Sequence, residues 1–411
     1  FLPEGSPPVL GSLFIQKDLA KTLSLMARAE EQAIEKGLKK ASGIQAARDA
    51  FYKGDIAHRM VESLEHLGAL YSYDDFAEYE SPMEEPISIT YKGYQIFTNR
   101  TWTQGITLLQ ALNILEGINL SRFGHNSPQS IHYQVEALKL AFADREQFVG
   151  DPDFVDVPVE RLLSPEYAAL RRALIDPNQA DAKYPPGDPR KMLAVLDGYI
   201  PISSTVLEPE PVGADGDGTT YLATVDTEGN MVSCTPSSFA GLTQGMVLGD
   251  TGILINCRGC YFWLDENNPN SIAPHKRPRT TPCTFIITRD GEPFMTLGTP
   301  GGDSQPQSNL QVFNNLVDFD MNIQDAVEAP RFCGYSFPSS PWPHGENPNK
   351  LEIEDRLPVS TLDSLRDKGH LVEIVDPWGI RNGFAPIIVN PETGVYHGGA
   401  DPRKESVILG W

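Results

Sequence analysis

The chain has few cysteines, a shortage of basic residues and no long hydrophobic run. Five cysteines in 411 residues, an odd number, are too few for a disulfide framework; they are Cys234, Cys257, Cys260, Cys283 and Cys333. The one CxxC pair, at 257–260, has no second pair and no histidine at zinc-ligand spacing, so we expect neither a metal nor a cofactor. No apolar stretch approaches about 18 residues, so we expect no membrane-spanning helix.

The excess of acidic residues disfavours two classes of binding partner. Acidic residues outnumber basic ones by 55 to 33, which gives a net charge of −22. Nucleic acid and anionic membrane surfaces attract the opposite sign, so both are disfavoured as partners. A hydrophobic content of 40% with 21% charged residues is typical of a globular protein, and the length predicts two or three domains.

Periodicity predicts a mixed α and β chain. Apolar residues at helical spacing predict helices at residues 17 to about 40, 44–67, 105–116, 129–148, 165–174, 304–319, 323–329 and 360–368. Alternation predicts strands at 87–91, 94–97, 220–225, 231–235, 253–256, 285–288, 294–297, 385–389 and 394–396. Residues 178–216 are rich in Pro, Gly and Asp without periodicity, and we expect an exposed linker there.

The linker leads into Gly216-Asp217-Gly218-Thr219-Thr220, directly before a predicted strand. A threonine hydroxyl is a poor nucleophile, but a chain that begins with threonine has an α-amine of pKa about 7.7–8.0 to act as its base. Gly218 has no Cβ to obstruct attack by the Thr219 hydroxyl on its carbonyl. From these five residues alone, a Gly/Asp turn that feeds a strand is the favoured interpretation.

Further motifs change that interpretation when they are taken in order. They include residues 249–256 (GDTGILIN), 276–282 (KRPRTTP), 298–303 (GTPGGD), 329–332 (APRF) and 398–403 (GGADPR), with residues 51–54, 91–94, 112–116 and 150–155 upstream. In this order and spacing the chain closely resembles the γ-glutamyltranspeptidase family of N-terminal-nucleophile hydrolases over nearly its whole length. The run at 301–307 (GGDSQPQ) is similar to a branch with acylase-like and oxamate-amidohydrolase-like members.

The resemblance implies an α+β fold, the four-layer αββα sandwich of these hydrolases. It implies a precursor that cleaves between Gly218 and Thr219. Residues 1–218 would then be the C-terminal part of a large subunit and residues 219–411 the small subunit, each the other's partner; a dimer of such heterodimers is an open alternative. A cytoplasmic location is favoured, and periplasmic and secreted locations stay open because the family's N-terminal portion has no counterpart here.

The resemblance also assigns a site. Thr219 would supply the hydroxyl and the amine, and Ser237 the second hydroxyl that hydrogen-bonds it. The backbone N–H groups of the Gly301–Gly302 pair would face the oxyanion, and the Thr280–Thr281 pair would hold the α-carboxylate of the substrate. From the residues alone, an exposed loop serine, a tight turn before a helix near Asp303 and a strand start at the threonines stay open.

Three positions depart from the family pattern. Phe239 and Tyr261 stand where the family reads the substrate's amino group with an asparagine and an acid, and neither offers a carboxylate to an ammonium. Arg258 stands where the family often has glutamine, and its guanidinium can fork onto a carboxylate. We therefore expect a small acidic amide as substrate, with an ester on Thr219 and water or an amine as acceptor. A true γ-glutamyltransferase or glutathione hydrolase, and a catalytically idle binding module, are the alternatives.

Overall fold

The computed structural model describes residues 5–199, 218–238 and 246–411. It divides into a smaller unit, Phe1–Met83 with Ala240–Cys257, and a larger unit, Glu84–Phe239 with Arg258–Trp411. Among the described residues, no helix combines the length and the apolar character that a membrane crossing requires.

The smaller unit contains helices α1 (Lys17–Glu35), α2 (Lys40–Tyr52), α3 (Asp55–His66) and α4 (Tyr73–Ala77). Ile56, Met60 and Leu64 lie one turn apart along α3, and they pack with Leu248 in its core. The helix predicted over 44–67 is wrong in one respect, because it breaks at Gly54. Gly54 has extended dihedral angles, and a Cβ on it would lie 2.6 Å from the Ala50 carbonyl oxygen.

The larger unit contains the remaining elements. Its helices are α5 (Gly105–Glu116), α6 (Pro128–Phe148), α7 (Val159–Leu162), α8 (Pro165–Arg172), α9 (Ser304–Val317), α10 (Ile323–Glu328) and α11 (Val359–Asp367). Its strands are β1 (Ile87–Tyr91), β2 (Tyr94–Thr98), β3 (Leu222–Val225), β4 (Met231–Cys234), β5 (Thr284–Arg289), β6 (Glu292–Gly298), β7 (Phe332–Gly334), β8 (Lys350–Glu354), β9 (Leu371–Val375), β10 (Ile387–Val389) and β11 (Tyr396–Gly398).

An antiparallel six-stranded sheet in the order β1-β2-β5-β6-β10-β11 forms the centre of the larger unit. The predicted hairpin is present: β1 and β2 meet at Lys92 and Gly93, both with positive φ. Helix α5 is buried from Gly105 to Leu115, and its apolar side chains share one core with α6, α9 and the inner face of the sheet. The α+β class is thus confirmed.

Two further sheets complete the larger unit: the β3–β4 hairpin, and a three-stranded sheet in which β8 pairs antiparallel with β7 and parallel with β9. The three-stranded sheet was not predicted, in part because a three-residue strand such as β7 carries too few residues for alternation to show. The strand predicted at 253–256 is wrong: Leu254 makes a single bridge, to Val247. The last strand begins at Tyr396, two residues later than predicted, because Asn390 and Val395 close a turn.

The predicted linker is not exposed throughout, because residues 184–189 are buried or half-buried. Tyr184 and Asp188 are buried, and the Tyr184 hydroxyl donates a 2.8 Å hydrogen bond to Glu136. Arg171, which is also buried, donates to the carbonyl oxygens of Pro185 and Ala194. Asp144 on α6 accepts a 2.8 Å hydrogen bond from Gly187 N, so polar side chains from α6 and α8 satisfy this backbone, which the Pro and Gly content alone could not indicate. Residues 200–216 lie outside the described part of the chain.

Candidate active site

The predicted nucleophile lies where the chain enters the β3–β4 hairpin. Thr219 makes an antiparallel bridge with Ser237, and flanking backbone bonds run from Thr220 N to Pro236 O (3.1 Å) and from Ser238 N to Gly218 O (3.0 Å). This register brings Thr219 Oγ1 within 2.7 Å of Ser237 Oγ. Ser237 is half-buried, so it is not an exposed loop serine, and the two predicted hydroxyls form one hydrogen-bonded pair.

A buried arginine extends this pair. Arg258 Nη2 donates to Ser237 Oγ. Its Nη1 donates to the Tyr261 hydroxyl at 2.8 Å and to Thr281 Oγ1 at 3.1 Å. Tyr261 and Thr281 are themselves 2.9 Å apart, oxygen to oxygen. Five residues predicted for the site thus form one hydrogen-bonded group, which we call the hydroxyl–guanidinium cluster: Thr219, Ser237, Arg258, Tyr261 and Thr281.

Local structure explains why the side chains of Arg258 and Tyr261 lie next to each other. A short 3₁₀ helix, Arg258–Tyr261, places residues three apart on the same side, and the guanidinium lies 5.1 Å from the Tyr261 ring centre. Asn270 fixes this turn, because its Nδ2 donates to Tyr261 O and its Oδ1 accepts from Arg279 N, both at 2.7 Å. Burial raises the pKa of Tyr261, while Arg258 acts in the opposite direction, so the side chain stays a neutral phenol.

Thr280, which was also predicted to bind substrate, lies outside this cluster. Thr280 bonds through its backbone N to Trp102 O at 2.8 Å and bridges to Thr103, so it is Thr281 whose hydroxyl joins the cluster. Neither threonine starts a strand, because β5 begins at Thr284. Phe239 lies outside the described residues.

The predicted oxyanion glycines follow β6. Gly301 and Gly302 have φ of +124° and +54°, and a Cβ on Gly301 would lie 2.2 Å from Asn382 Nδ2. Gly301 O accepts a 2.9 Å bond from Ser304 N as α9 begins. A Cβ on Gly298, at the end of β6, would lie 2.3 Å from the Tyr221 ring, so this strand runs close to the residues that follow Thr219.

Sequence reasoning missed the contacts that two buried residues, Gln104 and Arg145, make with half-buried Asp303 and with each other beside these glycines. The Gln104 amide nitrogen donates to Thr281 O and to Gly302 O, each at 2.9 Å. Its amide oxygen accepts from Arg145 Nη1 at 2.6 Å, and the same nitrogen reaches Asp303 Oδ1 at 2.6 Å. Burial alone would raise the pKa of Asp303, but Arg145 and Ser340 hold it below its ordinary value. The only signal in the sequence was a glutamine at the start of an apolar helix.

Three buried side chains on another side of α6 lie close enough to share an ion: His132, Glu136 and His370. Other protein groups already bond to the three side chains. His132 Nε2 bonds to Asp176 O at 2.8 Å and its Nδ1 lies 2.9 Å from His370 Nε2, while Glu136 pairs with the Lys139 ammonium at 2.7 Å. A cation would be repelled by that ammonium, so this group does not fit a metal.

Comparisons with known proteins agree on one family. The model of the γ-glutamyltranspeptidase family matches residues 1–411. The chain is 36% identical over 410 residues to the glutathione hydrolase-like YwrD proenzyme of Bacillus subtilis (strain 168), covering 100% of this chain and 68% of that protein. It is 31% identical to the glutathione hydrolase proenzyme of the same strain, with 100% and 64% covered.

A solved structure of a cephalosporin acylase from Bacillus halodurans matches with a TM-score of 0.81 at 31% identity, covering 100% of this chain and 65% of that one. The chain thus spans about two thirds of the length of each of these proteins. Their names describe glutathione hydrolase proenzymes and a cephalosporin acylase. The chain belongs to the γ-glutamyltranspeptidase family of hydrolases and acyltransferases.

Proposed function

We propose that this chain is an autoprocessing N-terminal-threonine amide hydrolase or acyltransferase that acts on a small acidic amide. The observation that carries the proposal is the contact of Thr219 Oγ1 with Ser237 Oγ, beside Gly218 and backed by the buried Arg258. Relatives named as proenzymes support a precursor. Cleavage would give a large subunit ending at Gly218 and a small subunit starting at Thr219, within the four-layer αββα sandwich that the family implies.

Cleavage would begin with attack of Thr219 Oγ on the Gly218 carbonyl carbon. The Gly218–Thr219 C–N bond breaks as the ester forms, and the hydroxyl proton passes to the nitrogen, which frees the α-amine of Thr219. Water then hydrolyses the ester, which gives the Gly218 carboxylate and restores the Thr219 hydroxyl. Ser237 lies at hydrogen-bond distance from the attacking oxygen and can orient it. A glycine on the acyl side leaves that carbonyl open to attack.

In turnover, the freed amine of Thr219 would take the proton from its own hydroxyl as Oγ attacks the amide carbonyl carbon of the substrate. The backbone N–H groups of Gly301 and Gly302 would stabilise the oxyanion, for which a single donor contributes roughly 2.7–4 kcal/mol in comparable sites. The leaving amine takes the proton back from the α-ammonium. Water or a second amine then attacks the ester and releases the acyl group.

The hydroxyl–guanidinium cluster favours a carboxylate on the substrate. Arg258 presents a positive charge among hydroxyls, and Thr281 adds a hydroxyl donor of its own, so a carboxylate could bind both. Tyr261 is a neutral phenol and gives an ammonium no counter-charge. We therefore assign an acyl group with a carboxylate and no α-amino group. γ-Glutamyl transfer is the second candidate, because two relatives are named for glutathione hydrolysis.

Two measurements test this function. Wild-type protein should run as two fragments on a denaturing gel, with the sequence Thr-Thr-Tyr-Leu at the new N-terminus, while Thr219→Ala gives one inactive band. Glutaryl- and γ-glutamyl-p-nitroanilide differ only in the α-amino group, and we expect the higher kcat/KM for the glutaryl compound. The reverse order would favour the γ-glutamyl alternative. An uncleaved wild type that no amide acylates would favour the binding module.

A further inference from the structure

Gln104 connects two parts of the proposed site that are far apart in sequence. Its side chain is fully buried at the residue before α5. One amide nitrogen donates both to the Thr281 carbonyl oxygen, in the proposed carboxylate-binding segment, and to the Gly302 carbonyl oxygen, in the proposed oxyanion loop. The two acceptors are thus held on either side of one amide group.

Arg145 and its hydrogen-bond partners fix the orientation of the Gln104 amide. Arg145 can only donate, so the side of the amide facing it must be the oxygen, and the NH₂ group faces the two carbonyls. Arg145 is itself buried, and it bonds to Asp303 and lies 4.5 Å from the centre of the Phe142 ring. Asp303 is further held by Ser340, through backbone N and hydroxyl at 2.7 and 2.6 Å. Gln104 therefore has little freedom to tilt.

We propose that Gln104 is a positioning residue that fixes the separation between the oxyanion glycines and Thr281, and so selects acyl chains by length. The inference rests on the proposed function. A dicarboxylic monoamide must place its carbonyl at one end of this span and its carboxylate at the other. A rigid span suits one chain length, and a misplacement of about 1 Å can cost on the order of a hundredfold in rate.

The test uses malonyl, succinyl, glutaryl and adipyl p-nitroanilides with three variants. Gln104→Glu is isosteric and keeps an acceptor for Arg145 but loses both donors, and Gln104→Leu loses every hydrogen bond. Gln311→Leu is the matched control, because buried Gln311 also donates to two carbonyl oxygens, of Gln307 and Phe332, at 3.0 and 2.9 Å, away from the cluster. Circular dichroism and cleavage at Thr219 report folding separately.

We expect wild type to prefer one chain length by at least about tenfold, and both Gln104 variants to lose kcat/KM on that substrate by tenfold or more, with the preference reduced to within about threefold. Gln311→Leu should keep the wild-type preference even where it is less stable. If Gln104→Leu fails to fold, Gln104→Glu carries the comparison. Cleaved, active Gln104→Glu with the wild-type preference would overturn the inference alone, whereas an uncleaved or inactive wild type would overturn the proposed function.

Discussion

Alanine at position 301 tests the oxyanion loop, because the added methyl group has no room there. Gly301 has φ of +124°, which other residues adopt at a cost of about 1–3 kcal/mol. The new Cβ would lie 2.2 Å from Asn382 Nδ2, which donates to Pro300 O at 2.6 Å and to Ser304 Oγ at 2.9 Å. Displacing that amide loses about 0.5–1.5 kcal/mol for a hydrogen bond. We expect Gly301→Ala to lower the free energy of unfolding by roughly 2–4 kcal/mol.

Under the proposed function the same movement should reduce catalysis, because it would turn the N–H groups of the Gly301–Gly302 pair away from the oxyanion that we propose they bind. Loss of one such donor costs about 10²–10³ in kcat. Urea denaturation measures the first effect, and steady-state turnover of glutaryl-p-nitroanilide, well below the denaturation midpoint, measures the second.

Two comparisons make this prediction specific. Gly345→Ala is the control, since among the described residues no atom lies within 4 Å of the place its Cβ would take, and its φ is not positive; it should lower neither quantity. Adding Asn382→Ala to Gly301→Ala removes the nearer of two clashing atoms, the other being Ser304 Oγ at 2.5 Å, so the two destabilisations should fall short of additivity by about 0.5–3 kcal/mol. A Gly301→Ala protein with wild-type stability and kcat would refute the reasoning.

Three further predictions concern single side chains. Ser237→Ala removes an acceptor of the Arg258 guanidinium and should lower kcat about 10- to 100-fold, as loss of a charge-assisted hydrogen bond of about 1.5–3 kcal/mol implies, whereas Ser237→Thr should retain activity. Arg258→Lys cannot reach three hydroxyls at once and should raise KM for the glutaryl amide at least about tenfold, with little change for a neutral butyryl amide; equal changes would contradict a carboxylate contact. Burial, helped by Lys139, His132 and Lys368, lowers the pKa of His370 to about 3, so only the unfolded state gains this proton as pH falls from about 6.5. Stability from this group should therefore fall by up to about 1.4 kcal/mol per pH unit between those values. His370→Gln should flatten that slope in urea titrations, and exposed His397→Gln should not.

Much of the fold could be predicted because local signals agreed. Helix α5 has the predicted bounds, since its apolar run is bounded by Gly105 and Gly117. The β1–β2 hairpin follows from Lys92-Gly93 between alternating strands. The β7–β9 sheet was missed because its pairings join residues 332–375 through short strands, and local periodicity does not report which distant segments pair.

Some residues of the candidate site could likewise be predicted from the sequence, and others could not. Thr219, Ser237 and Thr281 could be named from the order of motifs, and the structure brings their side chains together with Arg258. Gln104 could not be named, because its role depends on contacts 177 and 198 residues away. A buried amide that bonds to backbone carbonyls leaves no motif, since any residue can supply a carbonyl oxygen.

The resemblance implies an acid where this chain has Tyr261, and that exchange and the presence of Arg258 have one physical consequence together. An acid at position 261 would sit at hydrogen-bond distance from the guanidinium and neutralise its charge, whereas a buried phenol bonds to Arg258 and leaves that charge in place. The same exchange removes the counter-charge for a substrate ammonium. At a net charge of −22 the protein repels anions at long range, but salt screens this beyond about 8 Å, so a carboxylate must be recognised at contact distance. We infer that the pair shifts selectivity from an ammonium to a carboxylate, which neither substitution would do alone.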